Sequence, residues 1–431
     1  MTIYNNIRYM EVHTMKLFAV PLPVFTAEMV IHSYHFSFQN ADNLIISDQV
    51  SSMFDGTVNP RLLEFVDNIG LETLTLGNPI FLPFTNISLL GDFTSYLQID
   101  PTNVVITLDK GVTPEDIYID KIKMCKKLGY KFAFKLSSTR PFEDYIPVLS
   151  LMDYIIVNQN KVNKKEALKA IKSFPNATSI ASNVNTYTMF NLAAASGYDL
   201  FEGRFYRIPL SAGVDSELSP LKMLCVQLLN VVREENFDLD EISKIVEKDI
   251  SLSVSMLQHI NGQGFSSKIS TIQHAAAMLG QNELRKWVSS SASAQLGSDK
   301  PSEINRLSLI RAKFAEQLAP LFKLEKEADS LFLMGLFSVL DVLLDTSIEE
   351  ALRMVSVSDD IKNALVNFKG NYYPIYEFMQ FYEAGDWTSV ARFMILNNIA
   401  AEDLYKSYAT TLEWYKDLTA SIEADATGKE A

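Results

Sequence analysis

The pattern of this chain changes at Pro209. Between about Lys16 and Pro209, short runs rich in β-branched and aromatic residues alternate with amphipathic stretches. That alternation is the pattern of βα units around a parallel sheet. The candidate strands are KLFAV, MVIHSYHF, TLTLG, PIFLPF, NVVITL, KFAFKL, YIIVN, TSIAS and LFEGRF. Each is apolar enough to be covered on both faces, and so many in about 190 residues favour a closed, TIM-like (β/α) barrel over an open sheet. The helices between them have readable ends. Thr113 can cap, Pro114 takes the first helical position, Glu115 and Asp116 suit the positive N-terminus, and Gly129 ends the element. Gly70 and Gly197 stand in equivalent places after their helices.

The segment LSAGVDSELSP marks the boundary, and 11 of the 15 prolines precede it. Beyond it the apolar residues fall at helical spacing, as Leu221, Leu224, Cys225, Leu228 and Val232 do in LKMLCVQLLNVV. In FDLDEI, Asp238 and Glu241 have capping-box spacing ahead of Ile242, Ile245 and Val246. The expected organisation is an N-terminal extension over 1–14, a barrel over 15–210, a linker over 211–219, an all-helical domain over 220–420 and a flexible tail over 421–431.

Charge and composition exclude several functions. With 38 basic and 52 acidic residues the net charge is -14, which opposes a sequence-independent grip on nucleic acid or anionic lipid. No apolar run reaches the roughly 18 residues of a membrane span. The start MTIYNNIRYMEVHTMKLFAV lacks the layout of a signal peptide. Cys125 and Cys225, far apart and outside any CxxC, are expected to be buried thiols in a reducing compartment, so the location expected is cytoplasmic.

In a (β/α) barrel the reacting groups lie at the carboxyl ends of strands. A Mg²⁺ or Mn²⁺ site there needs several converging carboxylates. The candidate ends hold Thr107 and Asp109, then Lys135, Asn158, Ser182 and Asn185; only Asp109 and Glu202 are acids. Lys135 could form an internal salt bridge with Asp109 or bind a phosphate.

The order KLFAVPLPVF, IHSYHFSF, NPIFLPFT, VVITL, GYKFAFKL, DYIIVN, ASNVNT, LFEGRFYRIP resembles an EAL domain, the barrel that hydrolyses cyclic di-GMP in bacteria, over most of residues 15–209. The resemblance implies a pocket whose functional letters are replaced. His35 stands for the signature glutamate, with Gln39 in place of an arginine. Leu22 replaces a substrate glutamine and Pro83 an asparagine. Thr107 replaces a metal glutamate, Lys135 and Leu136 a pair of aspartates, and Ile156 and Asn158 a lysine and an aspartate. Ser182 replaces a further glutamate, and Glu202 stands where a glutamine is common. His35, without metal-ligand company, is expected to be a packed histidine.

The run DLDEISKIVEKDISLSVSMLQHINGQGFSSKISTIQHAAAMLGQNELRKWV resembles the HDOD domain, a signalling module related to HD-type phosphohydrolases, and the similarity extends over roughly Leu218 to Thr419. Where HD enzymes carry an adjacent His-Asp pair, GLFSVLD has Ser338 and Val339. His259 and His274 are expected to be structural. The reading is a non-catalytic signalling protein with a degenerate EAL barrel and no cofactor, acting on other signalling proteins through its helical half. A fragment from near Gly213 would then fold alone. The alternatives are a cyclic di-GMP receptor without hydrolysis, although Leu22, Gln39 and the negative charge weigh against that ligand, and a residual phosphodiesterase using Asp109 and Glu202. Oligomeric state is not legible.

Overall fold

The computed structural model describes residues 17–40, 70–75, 77–95, 99–136, 141–209, 219–234, 236–261, 269–355 and 357–427. The N-terminal extension and almost all of the linker lie outside these. Eight strands close into a barrel in sequence order: β1 (Leu17–Phe25), β2 (Ile31–Asn40), β3 (Ile80–Pro83), β4 (Val104–Leu108), β5 (Lys131–Leu136), β6 (Tyr154–Asn158), β7 (Thr178–Ser182) and β8 (Leu200–Glu202). β1 runs antiparallel to both its neighbours, β2 and β8, and every other pairing is parallel. Both faces of the central strands are covered: all five residues of β4, VVITL, are buried. Inside the barrel Val24, Phe81, Val105, Ala133, Tyr154, Ile156, Ile180 and Leu200 pack as a filled interior.

The outer layer contains α1 (Leu71–Thr75), α2 (Asn86–Leu90), α3 (Asp116–Lys127), α4 (Ile146–Leu149), α5 (Lys164–Ser173) and α6 (Tyr187–Ala195). Two expectations are corrected here. TLTLG is not a strand, because Leu71–Thr75 is helical: Thr75 Oγ1 donates back to the Leu71 carbonyl at 2.8 Å, and burial of Leu74 and Thr75 outweighs the β preference of threonine. α3 begins at Asp116, not at Pro114; Thr113 spends its hydroxyl on Glu115 Oε1 at 2.8 Å and caps nothing. Gly129 and Gly197 do end α3 and α6, with φ of 100° and 88° that glycine adopts without strain. The helix expected ahead of Gly70 lies outside the described residues.

After Ser219 the described chain is helical: α7 (Pro220–Val232), α8 (Leu239–Val246), α9 (Ile250–Asn261), α10 (Ile272–Leu296), α11 (Ser302–Leu318), α12 (Ala328–Phe337), α13 (Leu340–Leu344), α14 (Ile348–Met354), α15 (Asp359–Leu365), α16 (Tyr373–Ala384), α17 (Trp387–Asn397) and α18 (Ala401–Thr427). Asp238 caps α8 by accepting from Asp240 N at 2.9 Å. α18 continues through Thr427, into the stretch expected to be a tail. α10 is broken at Gly280, where φ 70° and ψ 171° interrupt the helix. Buried residues of α10 as far as Val288 belong to a small core with α7–α9, and Ala292 and Leu296 at its end belong to the main core.

That main core runs unbroken from the barrel's outer layer into α11–α18, which argues against a helical fragment folding alone. The far end of the β1–β2 hairpin carries it. Phe18 packs against Tyr382 and Trp387, with ring centres 6.0 and 6.1 Å apart. Further along the hairpin Tyr34 donates to Glu303 Oε2 at 2.7 Å, Arg306 Nη1 donates to Glu303 Oε1 at 3.0 Å, and Arg306 Nη2 donates to the Leu74 carbonyl at 3.2 Å. A buried charge stripped of such partners is strongly destabilising. Cys125 and Cys225 are both buried thiols.

Candidate functional site

Strand alternation decides what faces the barrel's mouth. Side chains two apart share a face, so the residues two beyond the interior set at each carboxyl end are Pro83, Thr107, Lys135, Asn158, Ser182 and Glu202. On the antiparallel β1 the equivalent position is Leu22, which pairs with His35 on β2; His35 in turn pairs with Phe81 on β3. Gln39 has the parity of His35 but sits farther out on the hairpin, opposite Phe18. Leu136 has the opposite parity, is buried, and packs in the core outside the barrel, so it is not a mouth residue.

The centre of this mouth is a histidine–carboxylate hydrogen bond that the sequence did not suggest. His35 Nδ1 and Glu202 Oε2 are hydrogen-bonded, with both side chains largely buried. Burial alone would raise the Glu202 carboxyl; the charge and hydrogen bond of His35, and then the charge of Lys135, more than offset it and hold the carboxyl below its usual range. An ionised carboxylate only accepts, so the proton in that bond is on Nδ1. The His35 ring also lies 5.1 Å from that of Phe81. His35 is therefore held by a charge as well as by packing. Thr107 Oγ1 and Ser182 Oγ, at residues 6% and 2% exposed, have no hydrogen-bond partner among the described residues.

The salt bridge expected between Lys135 and Asp109 does not form. Asp109 is exposed one residue past β4, and its Oδ1 accepts from Gly111 N at 2.8 Å in a tight local turn. Lys135 is exposed at the mouth, where its charge acts on Glu202. Asp109 and Glu202 are thus committed to different partners and do not form an acid/base pair. A divalent-metal site in this fold does not fit these residues: its donors would be one carboxylate already bonded to His35, an Asn158 amide oxygen that accepts from Asn160 N, two hydroxyls and an ammonium that repels cations. Among the described residues no group of three or more His, Cys, Asp or Glu could hold a metal.

In the helical half, Ser338 and Val339 are buried. Ser338 anchors an arginine: Arg311 Nη1 donates to Ser338 Oγ at 3.0 Å, while Ser338 Oγ donates to the Gly335 carbonyl at 2.6 Å. Arg311 also grips Glu383 through two bonds of 2.7 Å, Nε to Oε1 and Nη2 to Oε2. Glu383 Oε2 accepts a third bond, from Arg207 Nη1 of the barrel at 2.8 Å, and the Glu383 carbonyl accepts from Arg204 Nη2 at 3.1 Å. Burial pushes the Glu383 carboxyl up, but Arg311 and Arg207 dominate and hold it at about 2. Sequence reading missed this cluster, although Arg311 interrupts the apolar stripe of RLSLIRAKFAEQL. His259 and His274 lie on α9 and α10, and His274 is exposed.

Fold and site define a two-part protein, in which a closed eight-stranded barrel precedes a helical region similar to the HDOD domain. Residues 218–356 match the HDOD domain family model, ending well short of the Thr419 expected from the sequence, so α15–α18 lie beyond the matched part. Across nearly its whole length the chain is similar to the uncharacterized protein YuxH of Bacillus subtilis, with 27% identity over 94% of this chain and 99% of YuxH. It is also similar to the cyclic di-GMP phosphodiesterase CdgJ of Vibrio cholerae, with 24% identity over 93% of this chain and 92% of CdgJ. Among solved structures, an EAL domain protein from Listeria monocytogenes aligns over 44% of this chain and 87% of its own, with 13% identity and a TM-score of 0.35. No helix among the described residues is long and apolar enough to cross a membrane.

Proposed function

We propose that the chain is a non-catalytic signal-transduction protein, in which the EAL-like barrel no longer hydrolyses cyclic di-GMP and output passes to other proteins in a cytoplasmic regulatory pathway. One observation carries this reading: the only carboxylate among the described strand ends that faces the mouth, Glu202, is already bonded to His35 and lies in the field of Lys135. A group so committed cannot help gather a divalent cation or activate a water. The phosphodiesterase activity of the Vibrio relative keeps hydrolysis as the reading to beat. Purified protein with Mg²⁺ or Mn²⁺ is expected to leave cyclic di-GMP intact; metal-dependent turnover lost in Asp109→Ala or Glu202→Ala sinks the proposal.

A second reading is supported by the two unpartnered hydroxyls, Thr107 Oγ1 and Ser182 Oγ, beside the exposed Lys135. Buried hydroxyls without partners favour a polar ligand that supplies them. Under this reading the barrel is a receptor without hydrolysis. Calorimetry with cyclic di-GMP separates the two: saturable micromolar binding weakened by Lys135→Ala selects the receptor, and its absence selects pure protein–protein signalling.

A further inference from the structure

The outer layer of the barrel leaves a line of apolar side chains in solvent. α3 buries one face through Ile122 and Cys125, yet Ile117, Met124 and the helix-ending Leu128 are 56%, 45% and 52% exposed. With Lys121 between them they repeat at helical spacing and form one stripe turned away from the buried side. α2 widens it. Asn86 Nδ2 donates to Tyr118 Oη at 3.4 Å and Lys121 Nζ to the Gly91 carbonyl at 3.1 Å, so α2 lies along that edge of α3. There it presents Ile87 and Leu90, also exposed. Five large apolar side chains on two touching helices are more than the scattered single residues of an ordinary surface.

A charged stripe runs beside the apolar one, set back by one residue. Asp116, Asp120, Lys123 and Lys127 have the same spacing as Ile117, Lys121, Met124 and Leu128, and all four are exposed. Among the described residues none of these four side chains has a hydrogen bond or an ion pair, whereas Lys126 on the other side is spent on Asp153 at 2.8 Å. Along the stripe the signs read minus, minus, plus, plus. The helix dipole favours that order, but it does not call for an apolar line beside it. A two-fold axis perpendicular to α3 reverses the direction of a second copy. Asp116 then meets Lys127 and Asp120 meets Lys123, each pair occurring twice. The same rotation lays Ile117 on Leu128, and Met124 on the methylene stem of Lys121. One register, centred at Ile122, serves both stripes.

We propose that the α2–α3 face is the contact surface of a two-fold symmetric homodimer, in which α3 packs antiparallel against α3 of a second copy. The charge line singles out this occupant: a purely acidic or purely basic partner would find half of it repulsive, while its own reversed copy matches it throughout. A chain with a net charge of -14 repels its copies at large, so pairing has to come from a surface of mixed sign such as this one. α3 has 12 residues and is about 18 Å long, which makes a small interface and a dimer in exchange with monomer. The inference does not rest on the signalling reading, because neither stripe includes a residue of the mouth or of the Glu383 cluster.

The experiment is sedimentation velocity on the full chain over roughly 1–100 μM, where a dimer of micromolar Kd passes from mostly one chain to mostly two. Asp120→Lys sets a lysine against Lys123 of the second copy, and Lys123→Asp sets an aspartate against Asp120. Each should weaken the dimer about tenfold, since two surface pairs are lost and two repulsions of similar size are gained. Mixed in equal amounts, the two variants should pair with each other at close to wild-type affinity, because every contact between positions 120 and 123 then joins opposite charges. Ile117→Asp places an acid in the first turn, where the helix dipole tolerates it, and directly against Leu128. It should abolish the dimer and leave the thermal transition of the monomer in place. A monomer at every concentration, a dimer indifferent to Ile117→Asp, or a mixture that associates no better than its components would each overturn the proposal.

Discussion

Replacing Glu383 by glutamine tests whether the two halves are bonded into one unit. Glutamine keeps the shape of the side chain and mimics the protonated acid, but removes the charge that Arg311 and Arg207 share. The carboxyl is held at about 2 against an ordinary 4.5, a drop worth about 3 kcal/mol at neutral pH. Removing one partner of a buried ion pair costs about 3–5 kcal/mol by general experience, so the two estimates agree. For a chain of 431 residues unfolding as a unit, an entropy of about 2.1 cal/mol/K per residue gives close to 0.9 kcal/mol/K, and the expected loss is about 3–4 °C in Tm. Differential scanning calorimetry on the full chain reads it. Lys169→Met, which breaks the exposed pair with Glu143, is the control and should not move the transition measurably. A Glu383→Gln shift no larger than the control's would refute the claim that this carboxylate ties barrel to helices.

The acid limb of stability should follow the same group. Glu202 and Glu383 both have lowered carboxyl pKa values, so their contributions are complete above the usual carboxylate range and are lost as pH falls through it, for Glu383 towards about 2; urea midpoints between pH 7 and 3 should fall less steeply in Glu383→Gln than in wild type. Gly203→Ala should prevent soluble expression or cost several-fold more than Gly197→Ala, since only the former meets backbone, at 1.8 Å; equal urea midpoints for the two contradict this. Tyr34→Phe strips one bond from Glu303 and should cost about 1–3 kcal/mol by equilibrium denaturation. An unchanged midpoint would mean that Arg306 alone satisfies that carboxylate.

Alternation made most of the barrel legible. The eight correct strand runs were apolar blocks bounded by turn signals, and the parity that puts Pro83, Thr107, Lys135, Asn158, Ser182 and Glu202 on one face follows from a period of two. TLTLG failed because its composition reads as strand while its burial favours a helical turn, a contest that local sequence cannot decide. The partner of Lys135 was misjudged for a different reason. Asp109 is a better acceptor for its own turn than for a lysine on the neighbouring strand, and His35 and Glu202 lie 167 residues apart, meeting only because β1 closes the barrel between β8 and β2. The Glu383 cluster was harder still, since it joins helical residues 72 apart in the chain to the last turn of the barrel. Its one trace in the sequence was Arg311, an arginine where an apolar stripe should continue.

The hairpin that closes the barrel also sets the order in which the protein can be completed. Phe18, near the start of the chain, is covered by Tyr382 and Trp387, which are made about 360 residues later; at ribosomal speeds of about 5–20 residues per second that is roughly 20–70 s. Throughout that interval the outer half of the β1–β2 hairpin has an apolar face and no cover. A strand ribbon left in that condition is where chains pair wrongly with one another. The β1–β2 hairpin is therefore the part of the folding chain most open to misassociation until α16 and α17 emerge.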